Sequence, residues 1–225
     1  MPKKKRTIKT ASLKHERKYL TLGYKRIIGI DEVGRGPWAG PVVAGAVCLP
    51  LEYIATLPTL LKGVRDSKQM TPLQREKLSE TIKDVAVIWG IGSASAQEID
   101  AVGINPANQL AMRRALDDAL KKANFRPDCL FLDDMFLPEI REIPQVSMIE
   151  GDARSLSVAA ASVLAKVWRD SYMVELDSEL PHYGFADHKG YGTERHRQAL
   201  EQYGPSPVHR MYYKPLQSYR NHDTD

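Results

Sequence analysis

Asp31 and Glu32 end the apolar run RIIGI, and a turn almost bare of side chains follows at once, Gly34-Arg35-Gly36-Pro37. Such a turn lets backbone N–H groups come close to a ligand, and those donors attract anions, which carboxylates repel. A divalent cation between acids and anion reconciles the two. Acids close two more apolar runs, at Leu132-Asp133-Asp134 and at Ile149-Glu150-Gly151-Asp152. A single acid after a strand ordinarily caps a turn. Ligands of α/β sheets gather at the carboxyl ends of strands, so three acidic ends converge if the strands are neighbours. Converging carboxylates repel unless a cation neutralises them, and hard oxygen ligands suit Mg²⁺ or Mn²⁺.

Other chemistry is less specific. His182, His188, His196 and His209 match no zinc spacing and read as surface or phosphate-contacting groups. The glycine turn lacks the lysine of a P-loop and the third glycine of a dinucleotide site. Beyond Pro181, bases alternate with rings at Lys189, Tyr191, Arg195, Arg197, Tyr203, Arg210, Tyr212, Tyr213 and Lys214. That pattern serves nucleic-acid stacking and phosphate contact, or simply packs an appendage. In HKGYGT, glycines flank Tyr191 and leave its ring accessible. Cys48 and Cys129 lie in apolar runs without metal-type spacing and read as free buried thiols of a reducing, cytoplasmic compartment.

The elements that position these groups follow from periodicity. RIIGIDE reads as a strand, VVAGAVCLP as its hairpin partner, and VAVIWGIGSAS as a third strand. Thr71-Pro72-Leu73-Gln74 opens a helix to about Asp84. PANQLAMRRALDDALKKA is amphipathic, and CLFLDD and QVSMIEGD are strands ending in acid. SLSVAAASVLAKVWRDSYMVEL is a long helix whose small centre allows close approach to a sheet, and TERHRQALEQY is another helix. Hairpin-paired strands followed by strands alternating with helices predict one α/β domain with a mixed sheet.

With 225 residues, 43% of them hydrophobic, the chain is long enough for one large core. No run is long enough to span a bilayer, and no secretory apolar segment follows the basic start. Residues 1–18 carry a net +7 against +4 for the whole chain, leaving −3 elsewhere. Residues 1–18 therefore read as a flexible basic arm whose end turns helical around SLKHERKYL and stops at Gly23, residues 19–215 as the domain with a helical appendage from about 181, and 216–225 as a tail. The arm suits attraction to phosphates or mere solvation, and PKKKR also matches an import signal of low specificity.

GIDEVGRGPWAGPVVAGAV resembles the opening of bacterial ribonuclease HII, a type 2 ribonuclease H family. The likeness continues in order through DSK, LDD, EGD, AAASVLAKVWRD, HKGYGT and PVHR, from about Arg26 to Pro215. The resemblance implies a ribonuclease H-like fold, a mixed central β-sheet flanked by helices, with four catalytic, metal-holding acids at Asp31, Glu32, Asp133 and Asp152. It implies a monomeric enzyme whose partners are RNA–DNA hybrids and duplex DNA containing ribonucleotides, with no membrane. Cleavage would fall in the RNA strand of hybrids and 5′ of single ribonucleotides, leaving 3′-hydroxyl and 5′-phosphate. Gly34, Arg35 and Gly36 would sense the ribose 2′-hydroxyl and junction phosphate, Tyr191 would pack on the following sugar, and Lys68 would hold a phosphate.

One departure stands out, because the family usually has glycine where Asp134 follows Asp133. The related type III enzymes carry a preceding domain and lack GRG, and the short start of this chain argues against that assignment. Asp170 stands one turn after Lys166, the wrong order for a favourable surface pair. The two read as a pair standing behind the site, or as surface charges. An actin-like ATPase would need a second phosphate loop, and a hybrid-binding protein without catalysis would not need the intact acids.

Overall fold

A computed structural model describes residues 10–219. In chain order its elements are α1 (Lys14–Thr21), β1 (Ile27–Val33), β2 (Val42–Cys48), α2 (Leu57–Leu60), α3 (Pro72–Val85) and β3 (Ile88–Ala94). Then come α4 (Ala96–Val102), α5 (Ile104–Leu120), β4 (Cys129–Asp133), β5 (Gln145–Met148), α6 (Gly151–Arg154) and α7 (Leu156–Glu179). The appendage holds α8 (Phe185–His188), α9 (Glu194–Tyr203) and α10 (Lys214–Gln217).

The five strands form one mixed sheet in the order β3-β2-β1-β4-β5. β1 pairs antiparallel with β2, which pairs antiparallel with β3, while β4 runs parallel to both β1 and β5. β1 and β4 are therefore neighbours pointing the same way, with Ile30 beside Leu132. Their acidic ends meet. Among the described residues no helix is long and apolar enough to cross a membrane.

Helices cover both faces. α7 lies on one, where Ala159, Ala160, Ala161 and Ala165 are fully buried, and α5 lies on the other. Close approach is possible because strand glycines meet helix backbone. A Cβ on Gly45 would overlap the Ala161 carbonyl, and one on Gly29 the Ser157–Val158 peptide. Gly90 and Gly92 play the same part beneath α5. Gly45→Ala should therefore lower stability by on the order of 3 kcal/mol, since a rigid helix cannot yield locally. Urea unfolding checks this, and a loss below a few tenths would mean that α7 shifts freely.

Two expected boundaries move. The basic arm was to extend through residue 18, but Leu13 is buried, Tyr19 meets the Phe131 ring edge-on, and Glu16 is fully buried. Glu16 accepts from the Ser155 hydroxyl at 2.6 Å and the Ser157 amide at 3.0 Å, at the start of α7. An acid at a helix N-terminus satisfies donors that have no partner within the helix, and this anchors α1. Only residues 1–9 of the expected arm lie outside the described residues. The tail was to begin at 216, yet Leu216 is fully buried in a small core with Ala39, Met173, Phe185 and Leu200. Elsewhere the expected helices and strands form, including the Thr71/Gln74 capping box that starts α3, except that the strand expected over QVSMIEGD stops at Met148 and its Asp152 falls on α6.

Candidate active site

Consecutive residues of a strand point to opposite faces, so Asp31 and Glu32 diverge. Asp31 stands across from Gly45, and that missing side chain leaves space beside it for α7. Ser162 of α7 hydrogen-bonds Asp31, and its hydroxyl lies 3.0 Å from that of Ser67 in the DSK segment. Glu32 faces α5, where Asn108 reaches it. Arg35 Nη1 contacts Glu32 Oε1 at 3.3 Å, while its Nη2 donates to Asn105 Oδ1 at 2.8 Å.

Asp133 ends β4 beside Asp31. Its Oδ1 accepts from the Gly151 amide at 2.7 Å, and this brings in Asp152 one residue later. Glu150 turns the chain into α6 with φ +56°. Lys68 and Asp66 both act on Asp152. The acids expected at Asp31, Glu32, Asp133 and Asp152 are thus brought together, with Lys68 at their side.

Their electrostatics are those of crowded anions. Burial pushes the Asp31 carboxyl well above its ordinary range, and the charges of Glu32, Asp133 and Asp152 add to this against the Ser162 hydrogen bond. Burial also raises Glu32, opposed by Arg35 and Asn108. Asp152 is pushed up to about 6, first by burial and then by Asp66 and Asp133, with Lys68 opposing.

Among the described residues no group of three acid, imidazole or thiolate side chains stands ready to hold a metal ion on its own. The fit of a cation rests on donor chemistry instead. The donors are all hard carboxylate oxygens, each burdened by its neighbours' charge, and Glu32 Oε2 is buried without a hydrogen-bond partner among the described residues. A divalent cation would answer both.

Beside the acids lie the recognition groups. Gly34 takes φ +90°, and a Cβ on Gly36 would sit 3.8 Å from Tyr191 Cε1. Tyr191 is 45% exposed. Its loop is tied to the glycine turn by the Trp38 amide, which donates to the Gly190 carbonyl at 2.8 Å. Gly192 packs flat against the Trp38 ring, where any Cβ would collide.

Three expectations need correction or completion. His196 and His209 are buried, neither at the surface nor free to meet phosphate, and their Nε2 atoms lie 3.0 Å apart. Burial lowers them to about 4 and about 3, so they stay neutral within the aromatic core of the appendage. Lys166 and Asp170 do pair, at 2.7 Å, despite their unfavourable order. Arg75 joins Asp170 at 3.2 Å, and a half-buried acid between two cations outweighs the helix preference.

Asp134 is exposed with φ +41°, a left-handed conformation that glycine adopts without strain. Asp134→Gly should therefore raise stability by about 0.5 kcal/mol, the relief of strain exceeding the entropy lost by glycine. A lower melting temperature would show that its side chain contributes. Ser162, Asn108, Asn105 and Asp66 were not foreseen as site residues. DSK was a visible clue to Asp66, whereas nothing local marks a serine on a buried helix face.

The ribonuclease HII family model matches residues 28–216. A ribonuclease HII from Roseiflexus castenholzii is 49% identical over 205 residues, covering 91% of this chain and 89% of its own. One from Chloroflexus aurantiacus is 53% identical over 195 residues, covering 86% and 89%. The crystal structure of ribonuclease H2 from Pyrococcus horikoshii superposes with a TM-score of 0.70 at 28% identity, over 86% of this chain and 96% of that one.

Proposed function

Since the chain belongs to the ribonuclease HII family, and is thus a metal-dependent endonuclease, we propose that it cuts the RNA strand of RNA–DNA hybrids and cuts 5′ of single ribonucleotides in duplex DNA. The observation that supports this most is the contact between two loops far apart in sequence. The turn that follows Asp31 and Glu32 is joined to the Tyr191 loop by the Trp38–Gly190 hydrogen bond, so a nucleotide at the acids would also lie near both.

Asp31, Glu32, Asp133 and Asp152 would hold Mg²⁺ or Mn²⁺, two ions in the full reading, which supply an activated water and neutralise the leaving 3′-oxygen of an in-line displacement. The chain's own groups do the rest. Ser162 and the Gly151 amide orient Asp31 and Asp133. Lys68, exposed beside Asp152, meets a backbone phosphate. Backbone amides of the glycine turn reach the ribose, and Arg35 offers its charge to the adjoining phosphate while Glu32 and Asn105 hold it. Tyr191 stacks on the next sugar. The enzyme would act as a monomer in the cytoplasm, where its two buried free thiols remain reduced.

The test is a DNA duplex carrying one ribonucleotide, incubated with and without Mg²⁺. The expected product has a 3′-hydroxyl deoxynucleotide end and a 5′-phosphate on the ribonucleotide. Cleavage of continuous hybrids alone would refute the single-ribonucleotide reading.

A further inference from the structure

Two arginines without a catalytic contact are fully buried behind the glycine turn. Arg169 comes from α7 and Arg210 from the PVHR segment, and each is 0% exposed. A buried cation ordinarily sits against a carboxylate. The carboxylates whose charge reaches these two are occupied elsewhere. Asp170 is held by Lys166 and Arg75, and Asp100 accepts from the Met211 and Tyr212 amides.

The guanidinium groups face carbonyls instead. Arg210 donates from Nη2 to Gly34 at 2.6 Å, from Nη1 to Arg35 at 3.0 Å and from Nε to Gly40 at 2.9 Å. Arg169 donates from Nε to Pro41 at 2.9 Å, from Nη2 to Ala39 at 3.2 Å and from Nη1 to Lys189 at 3.0 Å. The Gly34 and Arg35 carbonyls belong to the glycine turn, those of Ala39, Gly40 and Pro41 to the segment that leads from it into β2, and the sixth lies two residues before Tyr191.

Peptide geometry turns this into a statement about the other side of the turn. In a trans peptide the C=O of one residue and the N–H of the next point in opposite directions. Arg210 draws the Gly34 and Arg35 carbonyls inward, so the amides of Arg35 and Gly36 are turned outward, away from the guanidinium. Gly34 itself admits Arg169, since any Cβ there would collide with the guanidinium stem. Burial lowers Arg169 to about 10, and Arg210 moves in the same direction. At that value Arg169 still carries full charge at neutral pH.

We propose that Arg169 and Arg210 are positioning residues that set ribose-over-deoxyribose discrimination, holding the glycine turn with its Arg35 and Gly36 amides outward and in step with Tyr191. The proposal rests on the function proposed above. Lysine keeps the charge but has no planar fork to bridge several carbonyls. Released carbonyls let the amides rotate, and hydrogen bonds to a 2′-hydroxyl are lost while phosphate contacts remain.

The experiment measures binding by fluorescence anisotropy in the Asp133→Asn background with Ca²⁺, so that nothing is cut. The probes are a duplex with one ribonucleotide and the same duplex entirely of DNA. The parent should prefer the first. Arg210→Lys and Arg169→Lys, each checked by thermal melting, should lose about tenfold of that preference with all-DNA affinity nearly unchanged, the worth of one or two hydrogen bonds. Tyr213→Phe should lose less, because it removes only one neighbour of Arg210 and of the Arg35 carbonyl. An unchanged preference in folded Lys variants overturns the proposal. Failure of both Lys variants to fold also overturns it, leaving the pair as core residues only. A parent without preference refutes the single-ribonucleotide reading itself, and the inference goes with it.

Discussion

Asp133→Asn should cut turnover on any substrate by about a thousandfold or more, because a ligand's charge contributes several kcal/mol to transition-state stabilisation and each 1.4 kcal/mol is tenfold. The fold should survive. Asparagine keeps Oδ1, the atom that accepts from the Gly151 amide, so the turn that delivers Asp152 is preserved. Duplex binding should hold or tighten, since one phosphate-repelling charge leaves a cluster of four. Single-turnover cleavage in Mg²⁺ measures the first effect, and anisotropy the second. Asp134→Asn is the matched control. Its side chain is exposed on a left-handed residue. Normal cleavage by Asp133→Asn, with loss in Asp134→Asn, would move the ligand by one residue and refute the present assignment.

The other large effect concerns the substrate. A site built to hydrogen-bond a hydroxyl leaves its own polar groups unpaired when that hydroxyl is absent, and such sites discriminate by about 10⁴-fold. Cleavage of an all-DNA duplex should therefore be slower than cleavage at a lone ribonucleotide by about that factor. Tyr191→Ala should reduce lone-ribonucleotide cleavage about a hundredfold, the worth of one stacked ring, and long-hybrid cleavage by much less. On a long hybrid the enzyme can choose among registers, whereas a single ribonucleotide allows one. The ring is exposed and carried between two glycines, one packed on Trp38, so its removal should leave the loop in place. Equal losses on both substrates would refute a junction role for Tyr191.

Much of this site was legible in the chain itself because the signals are local. An apolar run that ends in acid declares a strand and its carboxyl end without any partner. Asp31, Glu32 and Asp133 are of this kind, and the glycine turn and the ring between glycines at Tyr191 are equally local, whereas Asp152 falls on α6, four residues past the end of β5. The helices, too, were written in short-range terms, as in the Thr71/Gln74 box and the alanines of α7.

What only the tertiary structure decided are contacts between distant segments, where charge and periodicity mislead. Glu16 reads as one more charge in a basic arm, yet it is buried at the start of α7, because the unpaired amides of that helix lie where α1 passes. His196 and His209 read as polar surface groups until the appendage closes its aromatic core around them. The order of Lys166 and Asp170 forecasts a poor pair, and Arg75, which is 95 residues from Asp170 in sequence, reverses that. Arg210 looks like a member of a nucleic-acid-binding surface, and Arg169 like one more residue of a long helix. Both are instead buried against backbone carbonyls, Arg210 on those of the glycine turn and Arg169 on those of the segment that follows it, and no local pattern records this, because a backbone acceptor leaves no mark in the amino-acid sequence.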